Sequence, residues 1–206
     1  MSGVLFEGYS NSSLTYSNIQ LLDTRKIQVS HWVNGTAVGV VQSGSAIIDD
    51  TWNHVVVQFD SANATAASRV RIYINQDLSV AVASPVLPVD QDGMINSTAN
   101  IHMIGAGHIN NSSPATAFKF NGRLADLHFI DGTIKGPDEF GVRDPSSNFW
   151  VPKKYGGTYG TNGYNLHFGD ATQFGKDTSG SNSNWTVNGT PTVNTTDLPP
   201  TCTEWE

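Results

Sequence analysis

The chain carries 206 residues, 38% of them apolar and only 14% charged, with a formal net charge of −7. No basic run exceeds Lys153-Lys154, which leaves nothing from which to build a phosphate-binding groove and excludes nucleic acid as a partner. No stretch approaches the roughly 20 apolar residues of a membrane span, and Met1-Ser2-Gly3-Val4-Leu5-Phe6-Glu7 has neither a basic n-region nor a long apolar core, so a soluble chain without a secretion signal is expected.

Gly, Ser, Thr and Asn take the place of the missing charges. These residues suit turns and the wet faces of antiparallel strands better than helices, because Ser, Thr and Asn compete for backbone hydrogen bonds. Over residues 4–168 a short apolar or alternating run is followed repeatedly by Gly, Asn, Asp, Ser or Pro, the rhythm of an all-β sandwich. Residues 26–33 alternate, with Ile27, Val29, His31 and Val33 on one face and Gln28, Ser30 and Trp32 on the other. Asn34-Gly35 then predicts a hairpin turn into residues 36–41.

Residues 52–59 and 69–74 are the most strand-like segments, rich in β-branched and aromatic side chains. In the second, Val70, Ile72 and Ile74 point one way and Arg69, Arg71 and Tyr73 the other. Asn75-Gln76-Asp77 turns the chain into residues 78–83, after which Pro85 and Pro88 open a long loop to about residue 100. Strand signals resume at 101–105, 117–120 and 122–130. Leu127-His128-Phe129 and Leu166-His167-Phe168 echo one another as candidate neighbours in one sheet. Beyond residue 168 the texture is irregular, anchored by Phe174, Trp185 and Val187, with a strand expected at 185–187. The expected organisation is a β-sandwich over residues 1–168 and an irregular C-terminal extension over 169–206, packing on the sandwich or on a neighbour.

Several segments carry a resemblance in order: Trp52-Asn53-His54-Val55-Val56-Val57, Arg69-Val70-Arg71-Ile72-Tyr73-Ile74-Asn75, Gly122-Arg123-Leu124-Ala125-Asp126-Leu127-His128-Phe129, Trp150-Val151-Pro152-Lys153-Lys154-Tyr155 and Tyr159-Gly160-Thr161-Asn162-Gly163-Tyr164. Over residues 4–187 the chain resembles the concanavalin A-like, laminin-G-type domain of structural and tail-fibre proteins of aquatic bacteriophages. The first two segments are general to laminin-G-like domains, and the last two are confined to the phage type. The resemblance implies an antiparallel two-sheet jelly-roll sandwich on a virion surface. Such domains carry further strands upstream of the segment matching residues 4–9. A sandwich without them leaves a sheet edge with unpaired backbone groups, so a homo-oligomer, or an assembly with other virion proteins, is expected to cover it.

Glucanases share this fold, and retaining ones need two carboxylates about 5 Å apart. The only glutamates are Glu7, Glu139, Glu204 and Glu206, no Glu-x-Asp-x-x-Glu pattern occurs, and Asp49-Asp50 and Asp90-Gln91-Asp92 stand among turn residues. No enzyme is expected. Cys202, the single cysteine, allows no intrachain disulfide and no thiolate metal site. His102 and His108 lack further converging ligands, and His54, His128 and His167 read as satisfied sheet histidines, so no metal site is assigned. Asp90, Asp92 and Asn96 supply loop oxygens at a spacing that matches no calcium pattern, and calcium stays unassigned. The Asn-x-Ser/Thr sequons at Asn34, Asn63, Asn96, Asn111 and Asn188 reflect composition.

A sugar site presents aromatic rings beside amides and carboxylates. Trp150, Tyr155, Tyr159 and Tyr164 stand among Gly and Asn in a loop-rich stretch and are the candidate ligand-binding residues, with buried staples of the C-terminal half as the other reading of the same rings. Two functions follow: a lectin-like adhesion module of a phage appendage that binds host-surface glycan or receptor, and a capsid decoration or cement subunit that holds neighbouring proteins together.

Overall fold

The computed structural model describes residues 2–10, 14–79, 84–109 and 112–200, with the backbone alone for 109 and 112–117. Cys202, the Asn111 sequon and the 80–83 end of the strand expected from Leu78 lie outside the described residues. Among the described residues no helix is long and apolar enough to cross a membrane. The chain divides into two compact units, Met1–Gly122 and Arg123–Glu206.

In the first unit the strands are β1 (Gly3–Tyr9), β2 (Tyr16–Leu21), β3 (Ile27–Val33), β4 (Thr36–Gln42), β5 (Val55–Phe59), β6 (Val70–Ile74), β7 (Asp77–Leu78), β8 (Ile101–Ile104), β9 (Gly107–Ile109) and β10 (Ser112–Ala117). They form a five-stranded antiparallel sheet in the order β4-β3-β2-β1-β8, a three-stranded antiparallel sheet β5-β6-β7, and a β9-β10 ribbon. The expected all-β antiparallel sandwich is what forms. Leu21, Ile27, Val29 and Val41 of the larger sheet face Val70, Ile72 and Ile74 of the smaller one in a single buried cluster, with Leu87 among them. Burial of each such side chain contributes about 1.5–3 kcal/mol.

Two tight turns set these strands. Asn34 and Gly35 have φ of 49° and 78°, the left-handed pair that a type I′ hairpin needs. Asn75 and Gln76, at 50° and 84°, do the same between β6 and β7. The strand expected from Trp52 starts only at Val55, because the Asn53 side chain ties the preceding turn: its Nδ2 donates to the Ile48 and Thr51 carbonyls and its Oδ1 accepts from Ile48 N–H.

One rung of the larger sheet governs how the long segment after β7 is seated. Register places His102, Gly8, Ser17, His31 and Gly39 side by side across five strands, on the core side that also carries Val29. A Cβ on Gly8 would lie 2.4 Å from the Met94 carbonyl oxygen, and one on Gly39 would lie 2.8 Å from a Leu87 methyl carbon. The two glycines therefore admit the 84–100 segment directly onto the sheet. Ser17 Oγ accepts from Met94 N–H at 2.8 Å, His102 Nε2–H donates to the Met94 carbonyl at 3.1 Å, and the Gln91 amide lies 3.3 Å from His31 Nε2. Arg69 completes the seat from the smaller sheet, with Nη1 donating to the Leu87 carbonyl at 2.7 Å and Nε to that of Asn63 at 2.9 Å.

The second unit holds β11 (Leu127–Phe129), β12 (Gly141–Arg143), β13 (Trp150–Pro152) and β14 (Tyr164–Leu166), paired antiparallel as β11-β14 and β12-β13. The two Leu-His-Phe segments are sheet neighbours, with Leu127 opposite Leu166. The long run expected at 122–130 shortens to three residues. Asp177 organises the turn beyond β14: Oδ1 accepts from Asn165 and Ser179 N–H, and Oδ2 from Ser183 N–H and the Ser179 hydroxyl, all within 2.8–2.9 Å. Burial works to raise the Asp177 pKa, but these hydrogen bonds outweigh it and hold the carboxyl below its usual range. Residues 185–187 form no strand. Trp185 instead donates its N–H to the Gly175 carbonyl at 2.7 Å and packs its ring on Tyr164, while Val187, expected as an anchor, is exposed.

Replacing Gly8 with Ala should cost roughly 1–3 kcal/mol through overpacking against Met94, read as a lower urea midpoint together with faster proteolytic cleavage within residues 84–100. Acid should also unfold the first unit early. Burial lowers the His54 pKa to about 4 from 6.5, so the native state resists a proton that the unfolded chain accepts. Stability is undiminished above about pH 6.5 and falls by up to roughly 3 kcal/mol as pH drops towards 4. A His54→Asn variant should lose less between pH 7.5 and 4.5 than the parent when both are unfolded in urea.

Candidate functional site

The face of the five-stranded sheet opposite the core is lined by polar and aromatic side chains. Alternation along β3 sends Ile27, Val29 and His31 inward and Gln28, Ser30 and Trp32 outward. The register then sets Tyr16 beside Trp32, Asn18 beside Ser30, Gln20 and Gln42 on either side of Gln28, and Glu7 and Tyr9 beside Asn18 and Tyr16. Trp32 and Tyr16 stack with ring centroids 5.8 Å apart and planes at 11°, and both remain half-buried. Their faces form a strip one residue pair wide.

The strip is held in place from below. Trp32 Nε1–H donates to Ser30 Oγ at 3.3 Å, and the Ser30 hydroxyl donates to Asn18 Oδ1 at 2.6 Å. Both Ser30 and Asn18 are buried, so this relay fixes the half-buried indole. One row away Gln42 Nε2 donates to Gln28 Oε1 at 2.9 Å. Each half-buried amide has hydrogen-bonding capacity beyond this one contact.

Glu7 closes the row at β1 and is 2% exposed. Its Oε1 accepts from His108 N–H at 2.8 Å and from His108 Nδ1–H at 2.7 Å. The imidazole stacks on Tyr9 at 4.8 Å and 6° and meets the Tyr16 ring edge-on at 4.7 Å. Burial, and then the Glu7 charge, raise the Tyr16 pKa. Among the described residues the buried Tyr9 hydroxyl finds no hydrogen-bond partner, which makes this corner of the sheet an energetically exacting one. Register flanks Glu7 with Asn18 on one strand and Met103 on the other. Neither cross-strand neighbour of Glu7 is therefore a carboxylate.

The rings expected to bind ligand all lie in the second unit. Tyr155 and Tyr164 are each 5% exposed. Tyr155 is stacked on Phe140 at 4.9 Å and met edge-on by Tyr159 at 5.1 Å, and Tyr164 lies between Phe129 and Trp185. Tyr159 is half-buried, stacked on His128, with its hydroxyl 2.9 Å from His128 Nδ1. Burial, with the neighbouring Tyr155, raises its pKa to about 12. Trp150 is half-buried against Gly141, where an added Cβ would meet the indole at 2.4 Å. Trp32, Tyr16 and Gln28 are not among the residues expected to bind ligand, although Gln28-x-Ser30-x-Trp32 and Tyr16-x-Asn18-x-Gln20 both alternate as one polar face.

Two histidine pairs invite a catalytic reading and do not support one. Ser17 Oγ lies 2.8 Å from His31 Nδ1, but the residues are 1% and 2% exposed and the hydroxyl oxygen is already taken by Met94 N–H. Burial lowers the His31 pKa, and the pair serves as a clasp. His167 Nδ1 is 2.5 Å from Asp126 Oδ1, and that hydrogen bond raises the His167 pKa. Among the described residues no group of three or more His, Cys, Asp or Glu is gathered to hold a metal ion.

Removing the His108 ring strands a buried carboxylate. His108→Ala should lower stability by about 3 kcal/mol, visible in thermal unfolding, whereas a paired change with Glu7→Gln should recover part of that loss.

Residues 2–138 match the family model of the concanavalin A-like lectin/glucanases superfamily, laminin-G type. No curated protein and no solved structure gives a match. The match spans both sheets of the sandwich and the whole of the polar-aromatic face, and the chain belongs to the concanavalin A-like lectin/glucanases superfamily.

Proposed function

We propose that this chain is a non-enzymatic, lectin-like adhesion module that binds a host-surface glycan through the outer face of its five-stranded sheet. The observation that carries the reading is the half-buried Trp32–Tyr16 strip beside the Gln28–Gln42 amide pair. The apolar face of a pyranose stacks on such rings while amides take its hydroxyls. The family is compatible with carbohydrate binding. The non-catalytic half of the reading rests on Glu7, whose sheet neighbours are Asn18 and Met103.

The place proposed for this module is the surface of a virion, in a phage appendage. Support comes from sequence alone, from Trp150-Val151-Pro152-Lys153-Lys154-Tyr155 and Tyr159-Gly160-Thr161-Asn162-Gly163-Tyr164, which resemble the phage type of this domain. A second reading, a capsid decoration or cement subunit that binds other virion proteins, is favoured by one feature. Phe149 is 71% exposed, and Val142 of the same hairpin is 40% exposed, an apolar pair suited to a protein neighbour.

A glycan array probed with the purified chain, followed by calorimetry on the best ligand, separates these. Trp32→Ala and Gln28→Ala should each weaken binding at least tenfold without altering the unfolding midpoint by more than a few degrees, and Tyr159→Phe should leave affinity unchanged. Absence of saturable glycan binding together with tight binding to empty capsids, abolished by Phe149→Ser, would favour the second reading. Release of free sugar from the bound glycan would overturn the non-enzymatic assignment.

A further inference from the structure

β2, β3 and β4 contain no Lys, Arg, Asp or Glu. Their single histidine, His31, is buried on the core side. On β1 the carboxylate that shares their outer face is Glu7, which is 2% exposed and already accepts from the His108 N–H and Nδ1–H. The outward side chains of the three strands are therefore neutral, on a chain whose net charge of −7 itself disfavours anions.

Pairing sorts these neutral groups into rows along β3. Tyr16 and Trp32 make the aromatic row. Gln20, Gln28 and Gln42 stand side by side on adjacent strands as a row of carboxamides, all half-buried. Trp32 and Gln28 are four residues apart on one strand, roughly 13 Å at the usual strand rise, which is farther than a single sugar ring reaches. Between the two rows the Ser30 hydroxyl donates to Asn18 and accepts from Trp32, so it is engaged in the relay, and the half-buried Val40 stands beside it.

A carboxamide both donates and accepts hydrogen bonds, and so does a sugar hydroxyl. A carboxylate or sulfate only accepts, and is bound where Arg, Lys or converging N–H groups meet it. Set down among amides and aromatic rings, it would lose its hydration without gaining a counter-charge. Resting on the adhesion reading above, we infer that the glycan is an uncharged linear oligosaccharide that lies lengthwise along β3. One sugar stacks on Tyr16 and Trp32, the next crosses the row of Ser30 and Val40, and the hydroxyls beyond it bond the glutamine row.

Calorimetry on the full chain tests charge and length together. The probes are neutral hexose oligosaccharides of one, two and three sugars with the backbone that binds best on the array, and the three-sugar chain carrying carboxylate or sulfate groups. Affinity should rise at least tenfold from one sugar to three, fall at least tenfold when the acidic groups are added, and stay constant between about 50 and 500 mM salt, over which exposed charges become screened. This series needs no variant and so is proof against misfolding. Gln20→Ala and Gln42→Ala should each weaken the three-sugar chain about tenfold and leave single-sugar binding unchanged, whereas Trp32→Ala should abolish both. Preference for the acidic chain with affinity lost as salt rises, a single sugar that binds as tightly as three, or a three-sugar affinity indifferent to both glutamine changes would overturn the inference and leave the adhesion reading standing. Absence of saturable binding to any glycan would overturn both.

Discussion

The close approach of residues 84–100 to the rung of His102, Gly8, Ser17, His31 and Gly39 is the constraint on which the first unit rests. A sandwich core needs a lid where its two sheets diverge, and here the lid is a stretch of chain without regular structure, whose backbone polar groups must find partners on the sheet itself. Two positions without side chains admit it, and one hydroxyl and two imidazoles bind it. Leu87 can reach the apolar cluster only because Gly39 presents no Cβ in its path. Burial of His31 in a neutral state follows from the same seat.

The five-stranded sheet thereby serves two environments. Its inner side is aliphatic at Leu21, Ile27, Val29 and Val41, and its outer side carries the Trp32–Ser30–Asn18 relay, the Gln28–Gln42 pair and the buried Glu7–His108 contact. Buried polar contacts of this sort add little net stability over apolar packing, but they are costly to disrupt singly. They therefore fix the orientation of the rings above them. A half-buried indole held by such a relay loses less side-chain entropy on meeting a ligand than a free one does.

The strands, their alternation and both hairpin turns were legible because period-two hydrophobicity and the turn chemistry of Asn34-Gly35 and Asn75-Gln76 are local properties of the chain. The pairing of the two Leu-His-Phe segments was legible as well, through their likeness. The polar face was not read as a site, since Gln28, Ser30 and Trp32 look like an ordinary wet face until the register adds Tyr16, Asn18 and Glu7 from other strands. Tyr155 and Tyr164 are packed inside the second unit. Aromatic residues among glycines read as presented rings, yet Gly157 and Gly163 lie where an added Cβ would meet Tyr155 and the Tyr159 backbone, so the glycines make room for burial and not for display. Val187 likewise reads as an anchor, whereas it is exposed and Trp185 packs on Tyr164.

The order of pairing along the chain also bears on how it acquires structure during synthesis. β1 to β4 form a meander in which each strand pairs with the next, so four strands can assemble as they emerge, at little loop-closure cost. The fifth position of that sheet waits for residues 101–104, and β11 waits for residues 164–166, with Asp177 later still. A nascent chain stalled before residue 164 would hold Leu127-His128-Phe129 without its mate, a short sticky strand of the kind that chaperones shield.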